Sequence, residues 1–181
     1  MDKGIYSEII EWIKAIIIAG IIAFIINTFV FSLVYVDGTS MNPTLKDAER
    51  LVLNKTAYLF KGPEHGDIVV FHANSFDDYI KRVIALPGET VEMRQDQLYI
   101  NGQVVDEPYL DELRASLNGK GMVLTEDFGP ITVRDGYLFV LGDNRRNSTD
   151  SRLLGSISKT EMSGKVSIRV WPLNAIGKVD K

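Results

Sequence analysis

The pattern of apolar and polar positions divides the chain at about residue 37. Ala15 to Val36, AIIIAGIIAFIINTFVFSLVYV, carries no charge between Lys14 and Asp37. As a helix at about 1.5 Å per residue it reaches roughly 33 Å, close to the hydrocarbon thickness of a bilayer. The pattern predicts a transmembrane anchor over 15–36, preceded by a short cytoplasmic N-terminus over 1–14. A cleaved secretory signal has a shorter apolar core ending in a small-x-small site, whereas this run ends Leu33-Val34-Tyr35-Val36. A buried helix of a soluble protein would show caps or an amphipathic period, and the run has neither. Trp12 and Tyr35 near its ends fit interfacial aromatic belts, and Asn27 is its one strongly polar residue. Lys3 and Lys14 favour a cytoplasmic N-terminus, a vote that Lys46 and Arg50 weaken from the other side.

Beyond Asp37 the apolar residues come in short runs separated by turn residues, the pattern of strands. Strands are expected over 50–55, 67–72, 79–86, 90–93, 97–100, 103–105, 131–133, 137–141 and 164–170. Asn101-Gly102 between two such runs is a strong hairpin signal, since a type I′ turn needs positive φ at both central residues. A helical pattern appears at Tyr109 to Leu117 and ends at Gly119 and Gly121. The expected fold is mostly β: the N-terminal helix, then an antiparallel β-sheet domain over 37–181 with a polar excursion at about 102–136.

Composition narrows the chemistry. The 181 residues suit one domain, and 45% hydrophobic with 24% charged residues argues against disorder and a polytopic membrane protein. There is no cysteine, which removes disulfides, thiol catalysis and thiolate metal sites. The two histidines, His65 and His72, flank Gly66 to Phe71 and fit loop and strand-end positions better than ligand positions. No metal and no cofactor is expected. A net charge of -4 argues against a nucleic-acid partner.

Three polar segments remain. Ser40 lies in Asp37-Gly38-Thr39-Ser40-Met41-Asn42-Pro43-Thr44-Leu45, four residues past the apolar run and within about 14 Å of its end even if extended. A plain turn fits this segment too. A nucleophile elbow does not, because it needs glycine at position 42. Lys81 stands in the apolar run Tyr79-Ile80-Lys81-Arg82-Val83. Its stem could cover apolar surface with the ammonium in water, or burial could disfavour the charge and leave an amine able to take a proton from serine. Gly142 to Arg152, GDNRRNSTDSR, follows an apolar strand and fits either a solvated loop or a network of Asp/Arg pairs beside an active site. Calcium does not suit it, since Ser148 and Leu154 occupy the positions where a calcium loop needs glycine and glutamate.

Together these segments, with Gly66-Asp67-Ile68-Val69-Val70-Phe71 and Leu86-Pro87-Gly88, resemble bacterial type I signal peptidase in its short Gram-positive form. The motifs keep the family's order along nearly the whole chain. The resemblance implies a serine endopeptidase at the cell membrane, with one anchor and an extracytoplasmic catalytic domain. Its substrates would be secretory preproteins cleaved after small residues at -1 and -3, with the lipid bilayer and the secretion translocase as further partners. It implies Ser40 as nucleophile, Lys81 as general base and Ser148 as a hydroxyl orienting the lysine, with Asp143, Arg145, Asp150 and Arg152 in support. Val36, Met41, Leu45, Tyr79 and Ile80 become the implied substrate-binding residues. Gly38 stands where some Gram-negative members carry a serine that binds the oxyanion, so backbone amides such as that of Ser40 would have to serve. Lysine at 81 separates the chain from the endoplasmic-reticulum branch, which has histidine there. A self-cleaving repressor-type Ser/Lys protease shares the chemistry, but the span and the lack of a helix-turn-helix region count against it. A catalytically silent anchored β module would be marked by loss of Ser40 or Lys81, and both are present.

Overall fold

The computed structural model describes residues 3–74 and 77–179. Residues 1 and 2 of the expected segment 1–14, and 75, 76, 180 and 181 of the expected domain 37–181, lie outside the described residues. The uncharged run does not form one helix. Helix α1 (Lys3–Ile25) is followed by a π-helical turn at Ile26–Val30 and then by strand β1 (Phe31–Tyr35). Among the described residues the stretch long and apolar enough to cross a membrane is Glu8–Val30, and its apolar window is not buried. Residues 31–35 of the run expected as an anchor over 15–36 thus lie in the sheet rather than in the helix, and the helix begins before residue 15. Phe31 to Tyr35 pair with residues 50–54, and aromatic and β-branched residues suit that pleat as well as they suit a helix. Tyr35 accordingly lies under the Arg50 guanidinium, 5.2 Å from its ring centroid, rather than at a helix end.

The remaining strands are β2 (Arg50–Asn54), β3 (Ile68–His72), β4 (Asp78–Ala85), β5 (Thr90–Arg94), β6 (Gln97–Ile100), β7 (Gln103–Val105), β8 (Phe128–Thr132), β9 (Tyr137–Leu141), β10 (Ile157–Ser158), β11 (Met162–Trp171) and β12 (Gly177–Lys178). Helices α2 (Asp111–Asn118) and α3 (Ser151–Leu154) complete the chain. Among the described residues one antiparallel sheet runs β1-β2-β11-β3-β4-β9-β10, with β12 on β11, and a second runs β7-β6-β5-β8. Asn101 and Gly102 both adopt positive φ, +53° and +77°, as the hairpin signal requires. The strand expected at 131–133 starts earlier, at Phe128, whose ring stacks on Phe139 at 5.6 Å.

Ile68 to Phe71 of β3 are apolar without interruption because both faces of the strand are covered there. Ile68 and Val70 pack with Val36, Met41, Leu45, Leu51, Leu53 and Val166, beneath the segment that carries Ser40. Val69 and Phe71 pack on the other face with Val83, Leu138, Val140 and Ile157. A third cluster joins Ile84, Phe139 and Leu141 to Val91, Met93, Leu98 and Ile100 of the second sheet. One row of the register runs Phe31, Asn54, Lys165, Val69, Lys81 across five strands. Lys81 therefore shares a row with the residue at which the apolar helical stretch gives way to sheet.

Candidate active site

Ser40 sits on a turn that is pinned on both sides. Before it, Val36 is bonded to Glu49 and Ala48 through the backbone, and Gly38 holds φ +93° while its N–H donates to Asp47 Oδ1 at 2.8 Å. A glycine takes that backbone conformation without steric cost. After it, Met41 and Leu45 are fully buried in the core. From across the molecule, the loop after β9 holds the same turn: Asn144 N–H donates to Ser40 O at 3.0 Å, Asn144 Nδ2 to Thr39 O at 3.1 Å, and Asn147 Nδ2 to Thr39 Oγ1 at 3.2 Å. No described residue accepts a hydrogen bond from the Ser40 N–H.

Strand β4 pairs with β3 from Asp78 onward but with β9 only from Arg82, so Asp78 to Lys81 are unpaired on one side. Lys81 is 3% exposed, and its Nζ donates to Ser40 Oγ at 2.8 Å and to Ile80 O at 3.0 Å. Burial pushes its pKa down from 10.5 to about 8, against the opposing pull of Asp150 and Asp143. At pH 7 roughly a tenth of such a lysine is neutral. A neutral amine at this distance can take the serine proton, which an ammonium cannot.

The polar network around the pair is buried and largely satisfied. Arg82, adjacent to Lys81 and fully buried, forks onto Asp143 through Nε at 2.9 Å and Nη2 at 2.7 Å. It also reaches Gly66 O and lies 3.8 Å from the Tyr109 ring centroid. Thr44 Oγ1 donates to Asp143 Oδ2, the oxygen that also receives Arg82 Nη2. Arg145 binds Gly142 O at 3.1 Å, Tyr109 Oη at 3.2 Å and the Glu107 carboxylate. Burial opposes the Arg145 charge, but Glu107 more than compensates and raises its pKa. Asp150 caps α3, takes two bonds at 2.8 Å from Arg152 and accepts from Gly142 N–H at 3.0 Å. Burial raises its pKa, and these donors outweigh that and hold it below the usual carboxylate value.

Sequence reasoning brought Ser40, Lys81, Asp143, Arg145, Asp150 and Arg152 forward, and the structure gathers all six. It missed Arg82, Glu107, Tyr109, Thr125 and Asn144. An arginine in an apolar strand is itself a signal; Glu107 and Tyr109 belong to the 102–136 excursion, where no motif marks them, and only folding sets them against Arg145. Thr125 Oγ1, also from that excursion, lies 3.5 Å from Arg145 Nη1. A cleft of about 620 Å³ opens over the pair, lined by Val36, Gly38, Met41, Tyr79, Ile80 and Ser148 among others. Leu45 is not in its lining: it is wholly buried beneath Ser40, so the structure corrects its expected substrate contact to a packing role. Ser148 Oγ is buried and makes no hydrogen bond of ordinary geometry among the described residues, to Lys81 or otherwise. It lies close enough to Asp150 to help keep that carboxylate ionised. His65 pairs with Glu89 and His72 with Asp78, both at the surface, and no cluster of three or more metal-ligating side chains occurs among the described residues.

Comparison with known proteins finds relatives of the chain. The family model described as signal peptidase, peptidase S26, matches residues 9–171. The chain is 47% identical over 176 residues to the signal peptidase I of Bacillus licheniformis, covering 96% of this chain and 95% of the relative. It is 43% identical over 177 residues to the signal peptidase IB of Staphylococcus aureus strain COL, covering 93% and 92%. A crystal structure of a signal peptidase I from Enterococcus faecalis V583 matches with TM-score 0.53 and 39% identity, over 58% of this chain and 97% of that one.

Proposed function

The chain belongs to the signal peptidase family, peptidase S26, and from that premise we infer that it is a membrane-anchored endopeptidase using Ser40 and Lys81 to remove signal peptides from preproteins. The family supplies the peptidase activity and the preprotein substrate. The observation that carries the mechanism is the 2.8 Å approach of a buried Lys81 Nζ to Ser40 Oγ.

Neutral Lys81 accepts the Ser40 proton as Oγ attacks the carbonyl carbon at the cleavage site. The C–N bond then breaks, the leaving amine takes the proton from the Lys81 ammonium, and the signal peptide remains as a Ser40 ester. Lys81 next deprotonates a water that attacks the ester, and the proton returns to Ser40 Oγ. The unbonded Ser40 N–H is the donor available to the oxyanion, since Gly38 brings no hydroxyl and its N–H is engaged by Asp47. Ser148, which lines the cleft, is the hydroxyl that orients Lys81 while Ser40 is acylated. Asp143, Arg145, Asp150 and Arg152 hold the loop that seats Ser40.

The open side of Asp78 to Lys81 accepts an extended substrate as an added strand, with alternate side chains turned into the cleft. Val36, Met41, Tyr79 and Ile80 crowd that space and favour small residues at -1 and -3. Helix Glu8–Val30 is the anchor, and the exposed outer side of β1, with Phe31, Leu33 and Tyr35, continues its apolar surface toward the lipid. Lys3 and Lys14 favour a cytoplasmic N-terminus, which puts the cleft on the outer side, where preproteins emerge from the secretion translocase.

The test is cleavage of a purified preprotein by the detergent-solubilised chain, with the new N-terminus sequenced. A cut after small residues at -1 and -3, loss of roughly a thousandfold or more in Ser40→Ala and Lys81→Ala, and full activity in EDTA are expected. Near-normal cleavage by either variant overturns the dyad.

A further inference from the structure

We propose that the turn spanning residues 55–63 is a second membrane contact, whose tip, Leu59 and Phe60, enters the interface of the bilayer that receives α1. The proposal rests on the reading of α1 as an anchor. Its tip is apolar and uncovered: Leu59 is 68% exposed and Phe60 fully exposed, in the sequence Lys55-Thr-Ala-Tyr-Leu-Phe-Lys61. A lone aromatic-aliphatic pair in water between two lysines is the arrangement that lipid interfaces favour, with apolar side chains below the headgroups and ammonium groups among the phosphates.

Position decides the partner. Strand β2 runs antiparallel to β1, so its end at Asn54 returns to the point where the π-helical turn meets the sheet. The turn is bonded to that point directly: Lys55 N–H donates to Val30 O at 2.9 Å and Lys55 Nζ to Thr28 O at 3.0 Å. Both acceptors belong to the last residues of the apolar stretch. The base of the turn is rigid. Asn54 Oδ1 accepts from Thr56 N–H and Oγ1, each at 2.9 Å, and Leu59 N–H donates to Thr56 O. Tyr58 turns inward and donates to the buried Asp67 at 2.9 Å, while the next two side chains turn out. A groove of about 280 Å³ runs along the inner side of the turn, bordered by Leu59, Tyr58, Pro63 and Met162, but Phe60 lies outside it and stands fully exposed. A small apolar tip fastened to the end of a membrane helix is matched by lipid.

Two attachments do what one cannot. A domain held by α1 alone could tilt about the π-helical turn. A second contact through residues 59 and 60 fixes the row Phe31, Asn54, Lys165, Val69, Lys81 relative to the bilayer, and with it the height of the cleft above the lipid.

The experiment uses two single-tryptophan forms of the full chain in vesicles of equal parts phosphatidylcholine and phosphatidylglycerol with brominated acyl chains. One keeps Trp12 and carries Trp171→Phe; the other carries Trp12→Phe, Trp171→Phe and Phe60→Trp. Bromolipid quenching of both forms, with the indole at position 60 blue-shifted and shielded from acrylamide, is the expected result. If Trp12 is quenched while the indole at position 60 emits as in water and stays open to acrylamide, the turn is free for a protein partner and the proposal falls. If Trp12 is not quenched, the anchor reading falls and takes the proposal with it. As a second readout, the Leu59→Ser/Phe60→Ser variant should cleave a short soluble peptide as the parent does and a membrane-inserted preprotein several-fold more slowly. Equal cleavage of both substrates by parent and variant overturns the positioning role.

Discussion

The Ser40 carbonyl accepts a hydrogen bond from the Asn144 N–H at 3.0 Å, so the proposed nucleophile is seated by the loop that follows β9 as much as by its own turn. The contact is close because residue 142 has no side chain. A Cβ there would stand 2.2 Å from Ser148 Oγ and 2.5 Å from Ser40 O, and the second of these is backbone.

Gly142→Ala is therefore expected to displace Ser40 without unfolding the sheet. A shift of about 1 Å at a reacting group costs on the order of a hundredfold in rate. Steady-state kinetics on a preprotein should show that loss in kcat with KM little changed, and circular dichroism should keep the parent spectrum.

The second prediction concerns pH. If neutral Lys81 is the base, kcat/KM should rise about tenfold per unit as pH increases toward 8 and level off above it, because the free-enzyme pKa is pushed down to about 8. A profile flat from pH 5 to 9 would rule out Lys81 as the titrating base.

The same group makes a stability prediction of definite sign. A lysine whose folded pKa falls from 10.5 to about 8 binds fewer protons folded than unfolded between those values, so stability rises with pH across that window. Below pH 8 the buried ammonium costs on the order of 3 kcal/mol. Lys81→Met should raise the melting temperature at pH 7 by roughly 6 to 12 °C, and the gap should close as pH approaches 10.5. Thermal unfolding in detergent at pH 7, 8.5 and 10 measures it.

Arg82 and Asp143 form a fully buried pair. Removing one partner of such a pair costs about 3–5 kcal/mol, since the other is left charged and uncompensated. Arg82→Met and Asp143→Leu alone should each show that loss in urea unfolding. The double variant should recover much of it, and simple additivity of the two losses would contradict the pairing.

Much of the fold was legible because its signals are local. Alternating and continuous apolar runs marked β2 through β7 and β9 nearly residue by residue, and Asn101-Gly102 marked its hairpin. The end of the apolar helical stretch was not legible, because Phe31 to Tyr35 is as apolar as what precedes it and becomes a strand only by pairing with β2. The short strands β10 and β12 likewise exist through their neighbours.

The sequence by itself determined the two-part organisation, the mostly β character and part of what the chemistry excludes: a chain with no cysteine has no thiol catalysis, and it is the resemblance to signal peptidases that points to Ser40 and Lys81. Tertiary structure alone decided what those residues are. Burial turns Lys81 from a strand lysine into an amine near neutrality. The carboxylate of Glu107 becomes the partner of Arg145, and Leu45 becomes core rather than cleft. The reason is physical: hydrophobic period and turn chemistry act between neighbours in sequence, whereas desolvation and ion pairing depend on which distant segments the sheet brings into contact.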